Sequence, residues 1–228
     1  MIKENYLNII ENINQACKNA GRDSSTVRLV AVSKTKPVDV IREAIQLGLK
    51  DFGENKAQEL KSKVAQITND ITWHFIGHLQ TNKVKDVVPV AEYIHAVDSI
   101  KLAKEINKRA LKIEKKQKIL LEINTSLEAS KFGLIDESEI METALFCANA
   151  ENLNLVGLMT MAPYTGEEKI LRNCFIKLRS LKEKLNKEGF NLTELSMGMT
   201  NDYKIAIEEG ATMIRIGTAL FGERNYQG

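Results

Sequence analysis

The chain has 228 residues, a formal net charge of +2, 43% apolar and 27% charged residues, three prolines and three cysteines. That length holds one large core or two small ones. The near-neutral charge argues against a nucleic-acid or membrane partner, and the Lys/Arg residues interleave with Glu, as from Lys177 to Glu188, in the manner of a solvated helix face. Cys17, Cys147 and Cys174 are far apart, form no zinc or redox spacing, and in their odd number fit a reducing compartment. The start, from Met1 to Glu11, mixes charge with apolar residues and reads as neither a secretory signal nor a membrane span. A cytoplasmic protein is expected.

An amphipathic helix is predicted over 2–20. The run Val27 to Ser33 is then almost wholly apolar and free of Gly and Pro, the pattern of a short buried strand; it ends in Lys34, and Pro37 opens a helix-like stretch. From Val38 to Leu47 the apolar spacing is three and four, closed by Gly48. Further strands are predicted at 50–52, 72–76, 93–97, 118–123, 155–160, 193–196 and 212–216. Helices are predicted at 55–66, 99–113, 136–150 and 167–188, with shorter ones at 82–88 and 201–209. Strand and helix alternate with no linker or shift in composition, which favours a single α/β domain over residues 1–228. Eight strands in this length predict a (β/α)8 TIM barrel with an extra N-terminal helix, and no Gly-x-Gly-x-x-Gly fingerprint follows the first strand to support a dinucleotide fold.

In such a barrel the residues after each strand converge on one face. Here they are Ser33-Lys34-Thr35, Gly53-Glu54-Asn55, Gly77-His78, Asp98-Ser99, Asn124-Thr125, Met159-Thr160-Met161, Ser196 to Thr200, and Gly217-Thr218. The set places small polar groups around one amine and lacks the carboxylate and histidine cluster of a metal site. A partly desolvated Lys34 favours its neutral form and becomes a nucleophile toward an aldehyde; the alternative is a solvated strand-end lysine. Ser196-Met-Gly-Met-Thr200-Asn201 and Gly217-Thr218 offer the hydroxyls and backbone N–H groups with which barrels bind phosphate after strands seven and eight, although Ser and Thr also serve simply as helix caps. Strand alternation puts Met213, Arg215 and Gly217 on one face and Ile214 and Ile216 on the other. The guanidinium then needs an anion, a dipole or solvent, whether a ligand or a structural salt bridge. His78 is expected to line the mouth and His74 to be a packed residue. Asn55 either contacts a ligand or caps the next helix.

A reactive lysine, a phosphate cradle and a buried arginine together describe a pyridoxal 5'-phosphate (PLP) site. On Val30-Ala-Val-Ser-Lys-Thr-Lys-Pro37, Phe52-Gly-Glu-Asn55, Trp73-His-Phe-Ile-Gly-His-Leu-Gln80, Ser196-Met-Gly-Met-Thr200 and Arg215-Ile-Gly-Thr-Ala-Leu-Phe-Gly222, the chain resembles the pyridoxal phosphate homeostasis proteins, single-domain relatives of the alanine racemase barrel. The resemblance implies that Lys34 holds PLP as a Schiff base and that Ser196, Gly198, Thr200, Gly217 and Thr218 surround the phosphate. It further implies that Arg215 approaches the pyridine nitrogen and that Asn55, His78 and Met159 lie around the ring. Asn201 stands where relatives commonly carry an acid, and Ser130-Lys131-Phe132-Gly133 follows the usual Lys-Ser-Gly run only in part.

Two functions follow from that resemblance: storage, buffering or delivery of PLP, with apo-enzymes as possible recipients, or amino-acid racemisation. Racemases of this fold take a second base, a tyrosine, from a β-rich domain of the partner subunit. The sequence ends at Gly228, six residues past Gly222, so that domain is expected to be missing, the chain to be a monomer, and two-sided proton transfer to lack its source. An arginine beside the pyridine nitrogen also weakens the ring as an electron sink. A non-catalytic, PLP-binding role is therefore the expectation. A Schiff-base aldolase or phosphosugar barrel shares the lysine and the phosphate loops, but predicts no bound chromophore.

Overall fold

Each predicted apolar run forms a strand, and all eight join edge to edge. In the computed structural model, which describes residues 1–126, 128 and 131–223, the first half of the chain runs α1 (Ile2–Asn19), β1 (Arg28–Val32), α2 (Val38–Gln46), β2 (Asp51–Glu54), α3 (Ala57–Val64), β3 (Thr72–Phe75), α4 (Val84–Val87), β4 (Tyr93–Val97). It continues α5 (Ile100–Leu111), β5 (Gln117–Glu122), α6 (Glu137–Asn149), β6 (Leu153–Met159), α7 (Glu168–Lys187), β7 (Glu194–Ser196), α8 (Tyr203–Glu208), β8 (Met213–Ile216), α9 (Thr218–Phe221). All strands are parallel, and β8 returns to β1 with Arg28 opposite Met213 and Ala31 opposite Ile216, closing the barrel. This is the expected (β/α)8 architecture with α1 added before it.

Strand alternation divides the core in two. Val30, Tyr93, Ala96, Leu120, Met159 and Met213 fill the barrel, whereas Ala31, Ile94, Ile119, Leu121, Ile214 and Ile216 face the helical layer. Met213 and Ile214 fall on opposite sides, as the alternation predicts. Two helices, α5 and α6, start on side-chain caps. Ser99 Oγ accepts from Leu102 N at 3.3 Å, and Asp136 Oδ1 accepts from Ser138 N and Glu139 N at 2.9 and 3.1 Å, each such cap contributing about 1 kcal/mol. Helix α1 buries Ile9, Ile13 and Cys17 against α8 and α9. It is tied down by Asn5 Nδ2 donating to Leu220 O at 3.0 Å and, just beyond its end, by Arg22 donating to Ile207 O and Ala211 O.

Two differences from the sequence reading have physical causes. Strand β2 continues through Gly53 and Glu54, which the pattern places after it, because Glu54 pairs with Phe75 in the sheet and buries its carboxylate against Lys63 of α3. Helix α9 is only four residues long, too short to show a helical period. Ser130 and the terminal residues 224–228, including Gly228, lie outside the described residues.

Candidate functional site

Lys34 follows β1 at the carboxyl end of the barrel, half-buried, in a turn where Lys36 N donates to Ser33 O at 3.0 Å. Thr35, its neighbour, has φ +66°, a left-handed conformation that a β-branched residue avoids. The surroundings impose it. Thr35 N donates to Glu59 Oε1 at 2.5 Å, and Lys63 Nζ donates to Ser33 O, Glu54 Oε1 and Glu59 Oε1 at 2.8, 2.8 and 2.6 Å. Ser33 Oγ also donates to Glu54 Oε1 at 2.5 Å. Burial pushes the Glu54 carboxyl upward, against the pull of Lys63 and Ser33. This brace lies behind the turn, outside the barrel, and aims Lys34 at the mouth. In the sequence only the four-residue spacing of Glu59 and Lys63 on one helix face hinted at it.

Lys34 shares a cavity of ≈ 500 Å³ with Asn55, Gly77, His78, Glu122, Thr200, Arg215, Gly217 and Thr218. Met161, Pro163, Tyr164 and Phe132 line its apolar side. Asn55 does not cap α3, whose N-cap is Lys56. A Cβ at Gly77 would meet the Asn55 carbonyl oxygen at 2.5 Å, so only glycine lets the β3 loop pass so close to the β2 loop. His78 Nδ1 lies 3.2 Å from Asp98 Oδ2, and its ring stacks on Phe132 with centroids 3.9 Å apart. The loops after β7 and β8 meet where Ala219 N donates to Thr200 Oγ1 at 3.4 Å.

Seven of the ten residues expected around a ligand thus line one cavity. The other three lie beneath or behind it. Met159 is buried in the barrel interior. Gly198, at φ +95°, packs where a Cβ would come within 2.6 Å of Ala206 Cβ and 2.9 Å of Tyr203 Cα, which draws the Thr200 loop down onto α8. Ser196 is fully buried, and its Oγ accepts from Arg215 Nη1 at 2.6 Å.

Arg215 is itself 4% exposed and also donates from Nη2 to Thr160 O at 2.9 Å. Neither partner is a carboxylate, so the structural salt bridge considered from the sequence is replaced by a clamp of neutral oxygens. Burial lowers the guanidinium to about 10, opposed by the nearby Asp202 and Glu122 carboxylates, so it remains charged at neutral pH. Behind Ser196 the bonds continue: Ser196 Oγ to His95 Nδ1 at 2.8 Å, His95 Nε2 to His74 Nδ1 at 2.9 Å, and His74 Nε2 to Asp51 Oδ1 at 2.9 Å. The chain crosses the whole barrel, from Asp51 at the amino end of β2 to Arg215. His95 came through the sequence reading without a role, since a lone histidine inside a strand carries no spacing signal. His74, expected as a packed residue, stacks on Tyr93 at 4.7 Å as well as relaying.

Two acids in the cavity also had no sequence signal. Asp202, 6% exposed, accepts from Met199 N at 2.5 Å; burial raises its carboxyl and Arg215 pulls it back. Glu122, at the end of β5, is pushed up to about 7 by burial and by Asp98, with Arg215 opposing. Among the described residues, no group of three or more His, Cys, Asp or Glu side chains is placed to hold a metal ion.

The amine just after β1 and the clamped arginine of β8, facing one open cavity, make this a small-ligand barrel. The alanine racemase N-terminal domain matches residues 5–225. A pyridoxal phosphate homeostasis protein of Aquifex aeolicus is 43% identical over 98% of both chains, and one from Homo sapiens is 40% identical over 95% of this chain and 84% of its own length. The solved structure of PipY from Synechococcus elongatus with PLP bound superposes with a TM-score of 0.85 at 32% identity, covering 97% of this chain and all of PipY. The chain belongs to the pyridoxal phosphate homeostasis protein family, within the alanine racemase N-terminal domain fold.

Proposed function

We propose that the protein binds PLP through Lys34 and serves in PLP homeostasis, holding the cofactor in exchangeable form without a turnover of its own. The observation that carries this reading is Arg215: a buried guanidinium, charged at neutral pH, clamped by Ser196 and Thr160 and lining the same cavity as Lys34. The cavity fits the cofactor in its donor set. Thr200, Gly217 and Thr218 offer hydroxyl and backbone groups to a phosphate, Asn55 and His78 flank a ring, and Lys34 offers an amine to an aldehyde. Ser196, Gly198 and Met159 act from beneath, through Arg215, the Thr200 loop and the barrel packing. PLP in hand in the PipY structure, at 32% identity, supports the same assignment.

Bound PLP supplies an aldehyde and an electron-withdrawing ring. Lys34 would supply the amine that condenses with that aldehyde, with loss of water. Arg215, already charged, would donate to the pyridine nitrogen rather than protonate it, so the ring would withdraw electrons weakly and transaminase-like turnover would be disfavoured. The mouth is open: Tyr164 is 94% exposed, so water is not excluded as catalysis on such a ring requires, and cofactor exchange is favoured. We place the protein in the cytoplasm, where three unpaired, buried cysteines are stable, and expect a monomer that hands PLP to apo-enzymes.

Purified protein loaded with PLP is expected to be yellow, and borohydride to fix a phosphopyridoxyl group on Lys34. Lys34→Ala is expected to lose that adduct and keep its fold. Protein that cannot be loaded with PLP sinks the reading; rapid racemisation of a free amino acid by pure protein sinks its non-catalytic half. Transfer of PLP to an apo-enzyme, followed by recovery of that enzyme's activity, tests delivery, and gel filtration tests the monomer.

A further inference from the structure

Glu122 is a buried acid with a carboxylate oxygen that no described residue meets. It ends β5, two residues beyond the inward-facing Leu120, and alternation turns its side chain into the barrel. It is 2% exposed, lines the cavity with Lys34 and Arg215, and its Oε2 has no hydrogen-bond partner among the described residues. A buried polar atom without a partner is costly, so it persists where something else meets it. The charged groups around it are Asp98 just after β4, with His78 bound to it, Arg215 on β8, and Lys34 and Asp202 in the same lining, with Lys131 held at the carbonyl of the lining residue Met161. Burial, and after it Asp98, oppose an anion at Glu122 more than Arg215 favours one.

We infer that Glu122 is a further cofactor-contacting residue, presenting a neutral carboxyl whose O–H donates a hydrogen bond into the cavity. The inference rests on the PLP reading above. When neutral, Glu122 meets an acceptor on the ligand; when ionised, it has no proton to donate and repels a ligand that already carries a phosphate. Binding is therefore coupled to one proton held at Glu122, and affinity falls as that proton is lost.

The test is the PLP dissociation constant of wild type and Glu122→Gln, read from absorbance between pH 6 and 8.5. Titrations of PLP and Lys34 are common to both proteins and cancel in the ratio. Wild type is expected to weaken relative to Glu122→Gln by up to about tenfold per pH unit above pH 7, while the variant matches wild type near pH 6. Parallel profiles overturn the inference while leaving PLP binding intact; loss of PLP binding by wild type itself overturns the earlier reading instead. Infrared difference spectra of wild type, loaded minus free, give a second readout. A protonated-carboxyl band at pH 6.5 that shifts on loading and is missing in Glu122→Gln is expected, and an unshifted spectrum in that region counts against the inference. If Glu122→Gln does not fold, Glu122→Met removes the titrating group with a side chain of similar length; it binds more weakly at every pH for want of a donor, and the pH slope of its ratio to wild type and the loss of the infrared band are then the readouts.

Discussion

His74 Nδ1 and His95 Nε2 lie 2.9 Å apart in the middle of the barrel, and the direction of the bond between them is set by Asp51 at the end of the chain. Burial lowers both imidazoles, His95 well below the ordinary histidine value, so both are neutral. Asp51 only accepts, so His74 donates from Nε2 and accepts at Nδ1. His95 then donates from Nε2 and accepts at Nδ1 from the Ser196 hydroxyl, whose remaining lone pairs take Arg215. A cation at the ligand end and a carboxylate at the other end are joined by donors all pointing one way. Nitrogen-15 NMR of the imidazoles is expected to show both residues as Nε2–H tautomers; an Nδ1–H tautomer at either breaks the scheme.

The same pair sets an acid limit on stability. Their folded pKa values lie below the unfolded value of about 6.5, so the unfolded chain binds more protons once the pH drops below that point. Stability is fully present above pH 6.5 and falls by up to about 1.4 kcal/mol per pH unit for each histidine as the pH decreases. His95→Phe is expected to flatten the slope of unfolding free energy between pH 6.5 and 5, measured in urea. At pH 7.5 it is expected to lower stability by roughly 2–4 kcal/mol, because Ser196 and His74 each lose a buried partner.

Lys63 tests the brace behind Lys34. Lys63→Met leaves the Glu54 carboxylate buried without its cation and is expected to cost about 3–5 kcal/mol in chemical denaturation. Glu54→Leu combined with Lys63→Met is expected to recover much of that loss, since the orphaned charge is gone. Both are expected to slow adduct formation at Lys34, followed by absorbance, because the turn no longer has its anchor at Ser33 O.

Thr35→Gly asks what the left-handed turn costs. Glycine adopts φ +66° freely, whereas threonine there is strained by roughly 1–3 kcal/mol. Glycine's larger unfolded-state entropy offsets part of the gain. A net stabilisation of about 1 kcal/mol by thermal or urea unfolding is expected; a loss of stability shows that the threonine is not strained.

Gly198→Ala reaches the loop after β7. The added methyl meets Ala206 Cβ and Tyr203 Cα, and the φ of +95° is closed to alanine. A loss of about 1–3 kcal/mol in stability is expected. PLP affinity is expected to fall with weaker competition by inorganic phosphate, since Thr200 is carried on the displaced loop.

Much of the fold was open to reading in sequence because its signals are local. Short apolar runs alternating with three-and-four spaced helices set eight strands and their order, and the alternation through Met213, Ile214, Arg215 and Ile216 set which side chains enter the barrel. Lys34, Asn55, His78, Thr200, Arg215, Gly217 and Thr218 follow strands or sit at their ends, so their convergence followed from the barrel alone. What the chain could not reveal were the partners at long range. Glu54 turns away from the mouth toward Lys63, Ser196 and Gly198 lie under the cavity, and His95, Glu122 and Asp202 carry no motif. Periodicity fixes the face a side chain takes, because it is a property of one strand. Which donor meets which acceptor across the barrel depends on strand stagger and closure, and only the tertiary structure decides that.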